Sequence, residues 1–128
     1  MYQHAYSLLK ANDYDAARAA FQDFIDAFPQ HDYADNAYYW IGECWYTQHE
    51  YEKAIAEFEK VPELYPGGNK VPDALLKIGI AYESLDRPKD ASKTLEQLID
   101  AYPQSSAAEI GRGRLAKLKS EKSQNGGQ

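Results

Sequence analysis

Residues 38 to 66 read YYWIGECWYTQHEYEKAIAEFEKVPELYP, and residues 75 to 103, LLKIGIAYESLDRPKDASKTLEQLIDAYP, follow the same template 37 positions later. The likeness is one of residue type at fixed places: Ile41 and Ile78, Gly42 and Gly79, Ala54 and Ala91, Tyr65 and Tyr102, Pro66 and Pro103. Stepping back by the same 37 residues finds a weaker copy in Ala5, Ala17, Phe28 and Pro29. Self-similarity at such a period marks stacked repeats, in which each unit buries its apolar face only against its neighbours. Proteins built this way usually act by binding.

Each unit reads as two antiparallel helices. In the second copy Ala37, Tyr38, Ile41, Cys44, Trp45 and Gln48 keep a spacing of three and four, and a second periodic run starts after His49 with Tyr51, Ala54, Ile55 and Phe58. Turns are predicted near Asn12, Gln48 to Glu50, and Asp86 to Arg87. Asp13 stands at an N-cap position, and Pro88 at a first helical turn, where its missing N–H costs nothing. Pro29, Pro66 and Pro103 close the units, because the residue before proline disfavours helical geometry. Pro62 falls inside a predicted helix and is expected to kink it or shorten its last turn. After Pro103, Ala107, Gly111, Leu115 and Leu118 form one stripe among Arg112, Arg114, Lys117 and Lys119, as expected of a helix that caps a stack. The boundaries expected are repeats at about 1–32, 33–69 and 70–105, a cap helix at 106–121 and a disordered tail at 122–128. Gly42 and Gly79 are expected to allow close helix crossing opposite Ala54 and Ala91. The rows Leu8, Trp45, Tyr82 and Phe21, Phe58, Leu95 are expected to be core.

Composition bounds the function. The 128 residues with 44% apolar content suit one domain. Residues 1–104 hold 9 basic and 18 acidic side chains, and such an acidic body argues against nucleic acid as a partner. No apolar run approaches the length of a membrane span, so no membrane insertion is expected. Met1 falls inside the first repeat, which suggests a domain cut from a longer protein whose targeting segment would be missing. Cys44 is alone and leaves the redox compartment open.

The series Tyr38, Ile41, Gly42, Trp45, Ala54, Phe58, Pro66, repeated as Leu75, Ile78, Gly79, Tyr82, Ala91, Leu95, Pro103, resembles the tetratricopeptide repeat, with about three residues more than its usual 34. The implied fold is all-α: a tetratricopeptide repeat superhelix of three helix pairs plus a C-terminal capping helix. The strings AYYWIGECWY at 37–46, DALLKIGIAYESL at 73–85 and AYPQSSAAEIGRGRL at 101–115 further resemble the C-terminal domain of the YbgF/CpoB family of Tol-Pal-associated cell-division coordinators. That resemblance implies a non-catalytic periplasmic adaptor that binds TolA and links outer-membrane constriction to septal peptidoglycan synthesis and its machinery. It also implies an upstream signal peptide and a coiled coil that makes the full-length protein a homotrimer. Two other readings stand beside it: a scaffold subunit of outer-membrane protein assembly, and a generic peptide-binding regulator in the cytoplasm.

Repeat geometry puts the first helix of each unit on the concave side, where residues 37 apart form rows. One row is Tyr2, Tyr39, Leu76; another is Tyr6, Glu43, Ile80; a third is Leu9, Tyr46, Glu83; a fourth is Gln3, Trp40, Lys77. An exposed aromatic and apolar surface marks an interaction site, and Trp and Tyr dominate binding hot spots. The predicted partner-binding residues are therefore Trp40, Tyr39, Glu43, Tyr46, Leu76, Ile80, Tyr6 and Glu83. Repeats that grip the C-terminal carboxylates of Hsp70 or Hsp90 present Lys, Arg and Asn on these rows, which disfavours a co-chaperone role here.

Signs of catalysis are missing. His4, His31 and His49 have no metal-ligand spacing, and Cys44 sits among helix core positions without an activating neighbour. Paired acids such as Glu57 and Glu59 look like a solvated face. Gly67-Gly68 follows a helix-ending proline rather than a strand, so it is no phosphate loop. No enzyme activity, cofactor or metal is expected.

Overall fold

The computed structural model describes the backbone of residues 1–126 and the side chains of residues 1–121. Among these residues there are seven helices and no strand: α1 Tyr2–Lys10, α2 Tyr14–Ala27, α3 Ala34–Thr47, α4 Tyr51–Leu64, α5 Val71–Ser84, α6 Pro88–Ala101 and α7 Ser106–Gly126. Each helix packs on the next, and α7 also reaches back to α5.

The turn inside each pair is made the same way three times. Asn12, His49 and Asp86, spaced by 37, adopt left-handed backbone with φ of 62°, 64° and 57°. Asn, Asp and His are the non-glycine residues that tolerate this region best. Behind them, the N–H groups of Asp13, Glu50 and Arg87 donate to the carbonyls of Leu8, Trp45 and Tyr82, each at 2.9 Å. This is the Schellman closure, which satisfies carbonyls that the end of a helix would otherwise leave open. Asp13 occupies the N-cap position of α2 as expected, but its side chain makes no capping bond.

Pro62 does not shorten its helix: α4 has 14 residues, as many as α2 and α6. Proline here removes only one donor near the C-terminal end, and the ladder resumes at once with Tyr65 N–H on the Val61 carbonyl at 2.9 Å. The other departure is at the C-terminus. The helix α7 runs to Gly126 instead of ending at 121, because the residues after Leu118 include no proline and several good helix formers. Of the expected tail, residues 127 and 128 lie outside the described residues.

The core forms layers with the period of the sequence. Ala17, Ala54 and Ala91 are fully buried, as are Phe21, Phe58 and Leu95. The glycines work through these larger residues. A Cβ at Gly42 would lie 2.6 Å from the Phe58 ring, and one at Gly79 would lie 2.7 Å from Leu95, so it is a side chain rather than Ala54 or Ala91 that fills each vacated space. Leu8, Trp45 and Tyr82 pack against the core but stay partly exposed. Two cations meet the Trp45 ring, with the Arg18 guanidinium 3.6 Å and the Lys53 ammonium 4.7 Å from its centroid. Arg18 also donates to Gln48 and Asp15, which ties α2 to the turn of the next unit.

Candidate partner-binding groove

The helices α1, α3, α5 and α7 are the first members of successive layers, and their shared face carries the predicted rows. Four aromatic side chains meet there. Tyr6 stands edge-on to Trp40 at 5.4 Å between centroids, Tyr39 stands edge-on to Trp40 at 5.2 Å, and Tyr2 receives the indole N–H of Trp40 on its hydroxyl at 2.8 Å. Each of the four is half-buried. Edge-to-face contact suits the negative faces and positive edges of such rings, so the cluster holds its shape without a ligand. Burial pushes the Tyr39 phenol far above its ordinary range, with the charges of Glu43 and Asp73 adding to the effect. Tyr2 is raised by burial too, against the opposing hydrogen bond from Trp40.

A ladder of cross-layer bonds runs along the groove. Trp40, Lys77 and Arg114 occupy one repeat position, and each reaches back to the preceding layer, Trp40 and Arg114 by hydrogen bonds and Lys77 by an ion pair. Trp40 bonds Tyr2 at 2.8 Å, Lys77 pairs with Glu43 at 2.9 Å and Arg114 pairs with Glu83 at 2.6 Å. The acceptor moves about one helical turn toward the C-terminal end of its helix with each layer, as a twisting stack requires. The buried Glu43 Oε1 takes no hydrogen bond and meets the Lys77 ammonium only as an ion pair at 2.9 Å.

Seven of the eight predicted residues lie on this face as half-buried side chains: Trp40, Tyr39, Glu43, Tyr46, Ile80, Tyr6 and Glu83. Leu76 does not join them. It is 7% exposed and packs with Leu95, Leu98, Ala107 and Ala108, because α7 closes over α5 at that point. Tyr46 is held by a hydroxyl contact to Ser84 at 3.1 Å.

Of the cations that cover the rings, Lys77 stands in a predicted row with Trp40, whereas Lys10 and Lys70 stand in none. Lys70 lies 5.0 Å from the Tyr39 centroid and 5.4 Å from that of Trp40, Lys77 lies 4.4 Å from Tyr46, and Lys10 lies 5.7 Å from Tyr6. Lys70 precedes α5 in the connecting loop, outside any helical row, and its N–H reaches the buried Asp35 at 3.4 Å. Arg114, by contrast, was legible as the residue 37 after Lys77.

Elsewhere the polar chemistry is structural. The His31 Nδ1 accepts the Tyr33 N–H at 3.0 Å, and the His49 ring bonds the Tyr51 hydroxyl at 2.7 Å. Burial pushes the Cys44 thiol up to about 11. Among the described residues no three His, Cys, Asp or Glu side chains are placed to hold a metal, and no helix is long and apolar enough to cross a membrane.

The family profile described as tetratricopeptide repeat matches residues 2–69, and a second profile of that description matches residues 73–105. The chain belongs to the tetratricopeptide repeat family. As a tetratricopeptide repeat domain it is a protein-interaction scaffold. A stretch of 42 residues is 45% identical to the cell division coordinator CpoB of Pseudomonas putida, which makes this a CpoB-like repeat domain over that stretch. The match spans 33% of this chain and only 16% of that protein's length. Solved repeat structures share the fold at low identity. PcrH in complex with the chaperone-binding region of PopD has a TM-score of 0.75 at 17% identity, over 94% of this chain and 90% of that one. The first repeat domain of Spaghetti (RPAP3), bound to an HSP90 peptide, has a TM-score of 0.73 at 16% identity, over 94% and 88%.

Proposed function

We propose that this chain is the partner-binding part of a non-catalytic periplasmic adaptor that binds TolA through the groove centred on Trp40 and Tyr39. In this reading the parent protein is a homotrimer held by a coiled coil, and it couples outer-membrane constriction to the septal peptidoglycan synthesis machinery during cell division. The observation that carries the groove is the cluster of Tyr2, Tyr6, Tyr39 and Trp40, four large half-exposed rings on one concave face. The Trp40 N–H is spent on Tyr2, so a partner meets its ring surface. Burying such a ring at a protein interface is what makes a hot spot. The CpoB-like stretch supports the link to cell division. The bound PopD region and HSP90 peptide in the related folds support the use of a repeat domain to hold a segment of another protein.

Titration calorimetry with the periplasmic part of TolA tests the proposal. Trp40→Ala should weaken binding by about 1–3 kcal/mol, while Asp23→Ala, exposed on α2, should leave it unchanged. Parent-like binding by the Trp40 variant, or no binding of TolA by the parent, would sink it.

A further inference from the structure

We propose that the segment taken up by the groove is basic, with lysine or arginine side chains of the partner seating on the rings of Trp40, Tyr39 and Tyr46 beside Glu43. The inference rests on the groove being the partner site and adds the charge of its occupant. Four rings of the groove, all but Tyr2, already hold an ammonium group: Lys10 is 5.7 Å from Tyr6, Lys70 is 5.0 Å from Tyr39 and 5.4 Å from Trp40, and Lys77 is 4.4 Å from Tyr46. A cation within about 6 Å of an aromatic centroid is drawn to the negative ring face. The protein's own lysines thus occupy positions that a partner's cations can take in exchange.

The carboxylates point the same way. Glu43 lies in the middle of the groove and pairs with Lys77 at 2.9 Å, so an incoming ammonium would find both a carboxylate and the adjoining Tyr46 ring. The wider field agrees: residues 1–104 carry 9 basic against 18 acidic side chains. That excess of acid attracts basic segments at long range and repels acidic ones. The α7 end differs, since Arg114 pairs with Glu83 at 2.6 Å with no aromatic ring against that guanidinium among the described residues, whereas the Lys77–Glu43 pair adjoins the Tyr46 ring. The basic segment therefore lies across α1, α3 and α5 rather than along α7.

The test uses the whole chain and two capped twelve-residue peptides, one alternating lysine with alanine and one alternating glutamate with alanine, followed by tryptophan fluorescence and calorimetry. The lysine peptide should bind, more weakly as salt is added, and the glutamate peptide should bind at least about tenfold less tightly. Lys77→Ala removes the internal competitor and should tighten the lysine peptide about threefold or more. Glu43→Gln and Trp40→Ala should each weaken it by about three- to tenfold, whereas Glu63→Gln, the same charge change on the exposed side of α4, should alter it by less than about twofold. Tighter binding of the glutamate peptide, failure of both peptides to bind, weakening by Lys77→Ala, or equal effects of the two glutamate changes would each overturn the proposal. TolA itself separates the two readings. If its binding falls with Trp40→Ala and also falls with Lys77→Ala, the groove stands and the basic occupant does not; if Trp40→Ala has no effect, the groove itself is wrong.

Discussion

Replacing two helical glycines with alanine separates the packing of this repeat from its helix propensity. Both Gly42 in α3 and Gly113 in α7 have ordinary negative φ, so alanine fits either backbone and should gain about 0.8–1 kcal/mol of helix propensity. At Gly113 nothing lies within 4 Å of the added methyl, and the gain should be kept whole. At Gly42 the methyl would sit 2.6, 2.7 and 2.9 Å from three atoms of the Phe58 ring, well inside ordinary contact. The ring must then recede by roughly 1 Å, yet it is fully buried, and on its groove side it meets Tyr39 at 5.4 Å between centroids. Overpacking of this kind costs about 1–3 kcal/mol. Since the propensity gain is common to both variants, the difference between them isolates the packing cost, at about 1–3 kcal/mol. Gly113→Ala should melt above the parent, and Gly42→Ala should melt below Gly113→Ala by about 4 °C or more. Circular dichroism melts with urea titrations would measure this. A Gly42→Ala domain as stable as the Gly113→Ala domain would refute the assignment of Phe58 as the side chain that requires glycine at this crossing.

Two further outcomes follow from burial. The Cys44 thiol is buried and pushed up to about 11, chiefly by desolvation, so iodoacetamide should label it at least about a hundredfold more slowly in the native domain than in urea; equal rates would contradict the placement. Burial also raises the phenols of Tyr2, Tyr38, Tyr39, Tyr65 and Tyr82 above the ordinary value of 10.0. A phenol raised by folding ionises first in the unfolded chain, so stability should be intact below pH 10 and fall as pH rises past it. Tyr39 should ionise last when followed by absorbance near 295 nm, and a flat unfolding free energy from pH 9 to 12 would argue against these burials.

Much of the architecture was legible because each layer must solve one problem again. A tight turn closes each pair at Asn12, His49 and Asp86, an aromatic–proline step ends each unit, and a small residue marks each helix crossing at Gly42 and Gly79, although the neighbours that need it small are Phe58 and Leu95 rather than the expected Ala54 and Ala91. These are local demands that leave a residue type at a fixed interval. Features set by the relation of one layer to another were not legible in this way. Leu76 shares a row with Tyr2 and Tyr39, but α7 lies over it and nothing comparable lies over them. Lys70 reaches the rings from a loop, where repeat arithmetic assigns no direction.

The cross-layer ladder shows how those two kinds of information combine. Trp40, Lys77 and Arg114 obey the period, whereas the residues they meet, Tyr2, Glu43 and Glu83, drift across it. The drift follows from stacking: successive layers are rotated, so a side chain of constant repeat position meets a different turn of the helix before it. A buried or half-buried polar donor must nevertheless find an acceptor or bear a desolvation cost. The sequence meets that need with a phenol where the donor is an indole, and with a carboxylate where the donor is a cation. The same contacts give the groove its polarity, from an aromatic rung between α1 and α3 to ion-paired rungs between α3 and α5 and between α5 and α7. One set of side chains thereby holds the stack together and forms the floor on which a partner would lie. Truncation at Trp40 should therefore be read with its structural cost in view: it removes a groove ring and also releases Tyr2.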